Sequence, residues 1–240
     1  MAATPIPINE NDFKELKSRC QLIFEADPAQ FQTDASLRRF LKAFLTVNGA
    51  FTAVLKCNKW RREYGVENLT AETDEIKSHT AMGTCKILPH RDIEGRPIIL
   101  ITAKLHNAYE RDIEALTKYT VYLLETASKK CNEDVIDNLC VIFDLKEFGM
   151  GNMDYQFVKN LIWLLTKYYP ERLGVCLIIN APMMFWGCWQ VIRPWLHDYT
   201  ASKVVFVNDH QQLSQYLCPD ILPVTVETQQ LEQQPGVQQL

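Results

Sequence analysis

The groups in this chain with the readiest chemistry are five histidines and eight cysteines, and their spacing assigns them no reaction. His79, His90, His106, His197 and His210 stand at no informative distance from a serine or cysteine nucleophile, and no H-E-x-x-H pair is present to ligate zinc. Cys20, Cys57, Cys85, Cys131, Cys140, Cys176, Cys188 and Cys218 are dispersed without a C-x-x-C pair. They read as free buried thiols of a reducing compartment, not as a disulfide framework or a metal site. The G-x-S-x-G elbow and the G-x-x-x-x-G-K-[ST] phosphate loop are also missing. Gly149-Met150-Gly151 lacks the third glycine of a dinucleotide fingerprint and reads as a plain loop. The expectation is a protein that is not an enzyme and holds no metal or cofactor.

A stronger signal comes from the stretch between Tyr168 and Leu196. A charged turn, Glu171-Arg172, leads into the apolar run Val175 to Ile179, which has the length and β-branched content of a strand buried on both faces. Asn180-Ala181-Pro182 stops the run. Met183 to Leu196 then has the length of a helix and is apolar or aromatic nearly all round, so a soluble protein must hide it or insert it. Asn180, Pro182 and Gln190 interrupt what would otherwise be a minimal membrane span, which favours a buried strand followed by an apolar helix.

These features sit within a recognisable order of elements. Phe13, Leu16, Cys20, Ile23 and Phe24 recur at helical spacing, as do Leu37, Phe40, Leu41, Phe44 and Leu45. Gly49 separates these from a third helix with Phe51, Val54, Leu55 and Trp60 inward. Arg38, Arg39, Lys42, Arg61 and Arg62 are expected in water. Three such helices form an N-terminal helical subdomain over residues 1–66. Farther on, strands Ile98 to Thr102, Leu139 to Phe143, Val175 to Ile179 and Val204 to Val207 alternate with helices Ile113 to Lys129 and Tyr155 to Tyr168, and Asn152 is the expected cap of the latter. Ile87-Leu88 reads as an edge strand. Strands spaced by helices of this length require crossovers, hence an α/β fold with a mostly parallel sheet over residues 70–224. Asp209 to Gln212 reads as a capping box for a last helix through Leu217. Residues 225–240 are Gln-rich and read as a disordered tail.

A net charge of −4 with 22% charged residues gives no field for a polyphosphate partner, so nucleic acid is not expected. The first residues lack a basic region followed by an apolar one, and a cytoplasmic, monomeric protein is expected.

The ordered series Arg39-Phe40-Leu41-Lys42-Ala43, Trp60-Arg61, Asp92-x-x-Gly95-Arg96-Pro97, Asp144-Leu145, Tyr169-Pro170-Glu171-Arg172-Leu173, Ile178-Ile179-Asn180-Ala181-Pro182, Arg193-Pro194-Trp195-Leu196 and Thr200-x-x-Lys203 resembles the CRAL-TRIO lipid-binding family. That family includes phosphatidylinositol transfer proteins, the tocopherol transfer protein and the retinaldehyde-binding protein. The resemblance implies a sheet flooring an apolar cavity that a movable gate helix closes, with a bound lipid as ligand and transient contact with a membrane surface. By this resemblance Ile99, Ile142, Leu165, Leu177 and Ile179 line the cavity. Met184, Phe185, Trp189, Ile192 and Trp195 belong to the gate, whose Phe185 and Trp189 would meet the membrane. Glu171, Thr200 and Lys203 match positions that hold an inositol phosphate headgroup. The position after Ala43, where a basic residue is expected, is Phe44. Leu88, Ile99 and Leu165 replace hydroxyl residues of the choline-binding pattern, which disfavours phosphatidylcholine. The leading ligand is phosphatidylinositol or a phosphoinositide; a tocopherol, retinoid, sterol or other isoprenoid is the alternative, and a lipid-sensing interaction module is a third reading.

Overall fold

In the computed structural model, which describes residues 7–30, 32–218 and 226, the chain opens with three helices, α1 (Glu10–Ala26), α2 (Asp34–Phe44) and α3 (Val47–Tyr64). Each starts on a polar side chain that accepts a backbone N–H which helix geometry leaves without a partner: Asn9 from Asn11, Thr33 from Ser36 and Thr46 from Gly49. The break between α2 and α3 falls at Leu45-Thr46, not at Gly49. Leu45 takes the left-handed cap position with φ 60°. Gly49 lies inside the first turn of α3, where a Cβ would stand 3.0 Å from the Phe44 carbonyl oxygen. The glycine thus permits a close corner and does not end a helix.

The three helices bury Phe13, Leu16, Cys20, Leu37, Phe40 and Val54 against one another. Leu45, expected inward, is exposed. Arg39, expected in water, is only 4% exposed, and Arg61 is half-buried. Both turn toward the rest of the protein.

Helix α4 (Asp74–Met82) follows; it shows no apolar periodicity because Ile76 alone among its nine residues is buried. The sheet then runs β1 (Cys85–Arg91), β2 (Pro97–Thr102), β3 (Leu139–Asp144), β4 (Leu173–Ile179) and β5 (Val204–Val207), in that spatial order. β1 pairs antiparallel at the edge, and β2 through β5 are parallel. Helices α5 (Ile113–Ser128) and α6 (Tyr155–Tyr168) are the crossovers. Asp154, not Asn152, caps α6 by accepting from the Phe157 N–H at 2.9 Å. Asn152 instead accepts from the Gly149 N–H at 2.7 Å and closes the preceding turn. The expected long helix Met183 to Leu196 is shorter: α7 spans Phe185–Ile192 and passes into a 3₁₀ turn, Arg193–Trp195, at Pro194, which has no N–H to continue it. Two short helices, α8 (Asp198–Ala201) and α9 (His210–Leu213), flank β5. Asp209 caps α9 as expected.

Strand alternation sends side chains to two faces with different surroundings. Ile98, Leu100, Cys140, Ile142, Leu177, Ile179 and Val207 close on Leu213, Leu217 and Val226. Val226 is therefore core, although it falls in the stretch 225–240 expected to be disordered; the other residues of that stretch lie outside those described. Ile99, Ile101, Phe143, Cys176, Ile178 and Phe206 take the opposite face, against α5, α6 and α7.

Candidate functional site

The two faces of the central strand are covered unequally. Cys140 and Ile142 are 0% exposed on the α9 side. Val141 and Phe143, which register with Ile99 and Ile101 on β2 and with Cys176 and Ile178 on β4, are half-buried although they stand in the middle of a five-stranded sheet. Their same-face neighbours Ile99, Cys176 and Ile178 are buried, and of α6 only Leu164 is buried while Val158, Leu161, Ile162 and Leu165 are half-buried. A layer of apolar surface between sheet and helices is thus left incompletely packed, unlike the other face.

Of the residues expected to line a cavity, Ile99 and Leu165 lie on this side. Ile142, Leu177 and Ile179 do not: they point to the opposite face and are sealed under Leu213 and Leu217. The strands are apolar on both faces, so a continuous run gives no way to choose between alternate residues. Leu88 likewise belongs to the α9 side, and its neighbour Ile87 is the one paired with Ile99.

Helix α7 closes this side at β5. The Phe206 ring receives Trp186 stacked at 4.4 Å, Trp189 edge-on at 5.5 Å and Phe185 at 6.3 Å, and Phe185 also meets Phe148 at 5.5 Å. Phe185, Cys188 and Ile192 are the buried stripe of α7. Phe185 is 7% exposed and Trp189 half-buried, so the expected outward pair faces the sheet. The outward surface is Met183, at 76% exposure, with Met184, Trp186 and Val191. Trp195 is held on α6, edge-on to Tyr155 at 6.0 Å and under the Lys159 ammonium at 4.6 Å.

The three polar residues expected to read a headgroup come from separate elements. Glu171 stands in the turn between α6 and β4, Thr200 in α8, and Lys203 between α8 and β5. The Lys203 ammonium donates to Glu171 Oε2 at 3.1 Å and lies 4.1 Å from the Tyr199 ring. The Lys203 N–H donates to the Thr200 carbonyl at 3.1 Å, which places Thr200 one turn away. Glu171 and Lys203 therefore meet as a mostly buried ion pair. Phe44, at the position where a basic residue was expected, stacks on Phe40 at 6.2 Å within the helical core.

A second polar cluster was not foreseen. Arg61 grips Glu125 with two N–H bonds, at 2.7 and 3.0 Å, and the Tyr169 hydroxyl donates to Glu125 Oε1 at 2.7 Å. Burial pushes the Glu125 carboxyl up, but Arg61 and then Tyr169 outweigh it and hold the group below its ordinary range. Arg39 pairs with Glu133 and Asp137, and Arg172 also binds Glu133. These groups border a cavity of about 460 Å³ between the N-terminal helices and the α/β layer. Arg39, Arg61, Tyr169 and Arg172 all belong to the ordered series in the sequence, but helical periodicity assigned Arg39 and Arg61 to water.

The turn Asp92 to Arg96 is a self-contained clasp. Asp92 accepts from the N–H groups of Glu94 and Arg96 and from the Arg96 guanidinium, with Gly95 at φ 86°. The Arg96 side chain crosses Gly174 so closely that a Cβ there would stand 2.7 Å from its Cδ. The motif therefore fastens the β1–β2 turn to β4.

Residues 81–227 match the CRAL/TRIO domain. The chain is 34% identical over 195 residues to a CRAL-TRIO domain-containing protein of Schizosaccharomyces pombe, covering 78% of this chain and 44% of that protein. It is 32% identical over 133 residues to Phosphatidylinositol transfer protein CSR1 of Eremothecium gossypii, covering 55% and 30%. It is 28% identical over 207 residues to the Sec14 cytosolic factor of Schizosaccharomyces pombe, covering 79% and 72%. The chain thus spans less than half the length of the first two relatives. The crystal structure of Sfh5 superposes with a TM-score of 0.71 over 88% of this chain and 85% of that one, at 16% identity, a likeness of fold. With a mostly parallel sheet, an apolar α7 at its edge and a domain match over residues 81–227, the chain belongs to the CRAL-TRIO family.

Proposed function

We propose that this protein is a lipid carrier that takes one lipid into the space between the sheet and α6–α7 and exchanges it at membranes. The observation that carries this reading is the unequal covering of β3, with Val141 and Phe143 incompletely packed while Cys140 and Ile142 are sealed. An apolar layer of this kind accepts acyl chains at no cost in lost hydrogen bonds. Helix α7 is the gate: its inner stripe rests on Phe206 and Phe148, and its outer residues, Met183, Met184, Trp186 and Val191, enter the interfacial region when the carrier docks. The carrier acts as a monomer in the cytoplasm, with transient membrane contact.

The ligand is phosphatidylinositol or a phosphoinositide, its headgroup met by Lys203 through charge, by Thr200 through a hydroxyl donor and by Glu171 through acceptance from inositol hydroxyls. Support comes from the convergence of Glu171 and Lys203 and from a relative named as a phosphatidylinositol transfer protein. One observation favours a small apolar ligand instead: Glu171 and Lys203 already satisfy each other at 3.1 Å. Native mass spectrometry of the purified protein separates these readings. A co-purified mass of an inositol phospholipid supports the first, an isoprenoid mass the second, and protein that stays lipid-free after incubation with vesicles containing both sinks the carrier reading.

A further inference from the structure

The turn Tyr168 to Arg172 is held from the side of the N-terminal helices. Trp60 of α3 lies flat on Tyr168, with centroids 4.0 Å apart and planes 5° from parallel. Arg61 of α3 fixes Glu125, which in turn holds the Tyr169 hydroxyl. Arg39 of α2 shares Glu133 with Arg172, and Arg172 also donates to the Asp137 carbonyl at 2.6 Å. The cavity of about 460 Å³ borders Arg39, Arg61, Glu125, Glu133, Tyr169 and Arg172, while Trp60 and Tyr64 of α3 pack beside it on Leu124, Leu164 and Tyr169.

Glu171 sits in the middle of this turn at φ 56°. That conformation is unfavourable for a residue with a Cβ, which keeps it only where its surroundings over-determine it. Its neighbours on both sides are the clamped residues, and its own carboxylate goes the other way, to Lys203.

We propose that the N-terminal helices brace lipid selection: Trp60 and Arg61 are positioning residues that hold the Tyr168–Arg172 turn so that Glu171 meets Lys203 and, with it, a polar headgroup. This inference rests on the reading of Glu171 and Lys203 as headgroup contacts. The charged half of the brace, Arg61 with Glu125, borders the cavity of about 460 Å³, whereas Trp60, Tyr168 and Tyr169 pack in the same apolar cluster as Ile99 and Leu165. Selection by headgroup is therefore separable from capacity for apolar chains at the Arg61–Glu125 pair, and loss of that pair relaxes the first while sparing the second.

The test uses the full chain equilibrated with vesicles holding equal amounts of phosphatidylinositol and diacylglycerol with the same acyl chains, the lipids carried off being counted by mass spectrometry. Two variants break the brace: Trp60→Leu removes the stack, and Arg61→Met with Glu125→Gln removes the ion pair without stranding one buried charge. Each is expected to lower the ratio of phosphatidylinositol to diacylglycerol about tenfold, the scale of one hydrogen bond to a charged group, and the Arg61→Met, Glu125→Gln protein is expected to do so with total lipid unchanged. Adding Glu171→Gln to either should lower the ratio no further. An equal fall in both lipids, or an unchanged ratio, overturns the brace. Glu171→Gln and Lys203→Met made alone distinguish the two failures. If they leave the ratio at the parent value, the headgroup reading itself has failed; if they collapse it while the brace variants do not, the brace alone falls.

Discussion

Val141 and Ile142 are consecutive residues of the central strand, yet Ile142 is wholly sealed and Val141 is left half-buried, because the pleat sends them to opposite faces. The difference gives the space above the sheet a direct assay. Ile142→Trp overpacks the tight face and is expected to cost about 2 kcal/mol or more. Val141→Trp enters the looser face with little loss of stability and blocks lipid uptake. Urea denaturation beside a vesicle extraction assay checks both; equal destabilisation by the two would show that the faces are packed alike.

The ion pair of Lys203 with Glu171 is mostly shielded, so Lys203→Ala leaves a carboxylate without its partner. A loss of about 1–2 kcal/mol is expected, between the values for exposed and for fully buried pairs. Transfer of phosphatidylinositol between vesicles should fall about tenfold, as expected for one lost charge-assisted contact. Unchanged transfer with intact stability would remove Lys203 from the site.

On α7 the two sides should respond in opposite ways. Met183→Asp with Val191→Asp places charge on the outward surface and is expected to slow exchange with vesicles while the melting temperature holds. Phe185→Asp buries a charge against Phe148 and Phe206 and should unfold or strongly destabilise the domain. Thermal melts together with transfer rates decide it, and normal exchange by the outward variant would count against α7 as the membrane contact.

Glu125 links the fold to pH. Its carboxyl is held below the ordinary value of 4.5, so its contribution is complete above that pH and is lost as pH falls through the depressed value. Glu125→Gln should cost roughly 2 kcal/mol at neutral pH, an amount that reflects loss of the grip on Arg61. The gap between parent and variant should then close on acidification below about pH 4.5. Melting temperatures from pH 7 to pH 3 check the sign; a constant gap would mean that another group carries the acid sensitivity.

Element order was legible because each strand is a compact apolar run and each long helix has a clear stripe. What the runs concealed was orientation: Ile142, Leu177 and Ile179 read as well for one face as for the other, and the choice depends on which helices cover the sheet. Arg39 and Arg61 were misplaced for a related reason. A periodic pattern separates charged from apolar sides but does not reveal that a charged side faces carboxylates such as Glu125 and Glu133, which are supplied far along the chain. Helix α4 left no trace because one buried residue makes no period, and Asn152 lost the cap of α6 to Asp154 since both precede it at plausible distance. The meeting of Glu171 and Lys203 was anticipated only through the ordered motif series, as the two stand 32 positions apart.

Cys188 gives α7 a clock of its own. Its thiol rides on the inner stripe at 3% exposure, between Phe185 and Ile192, so any lifting of α7 of the kind proposed above brings that sulfur into solvent. Under the proposed gate reading, labelling of Cys188 at saturating thiol reagent, where reaction outpaces reclosing, gives the opening rate of α7, with peptide mass spectrometry counting exposed Cys218 and half-buried Cys85 and Cys131 apart.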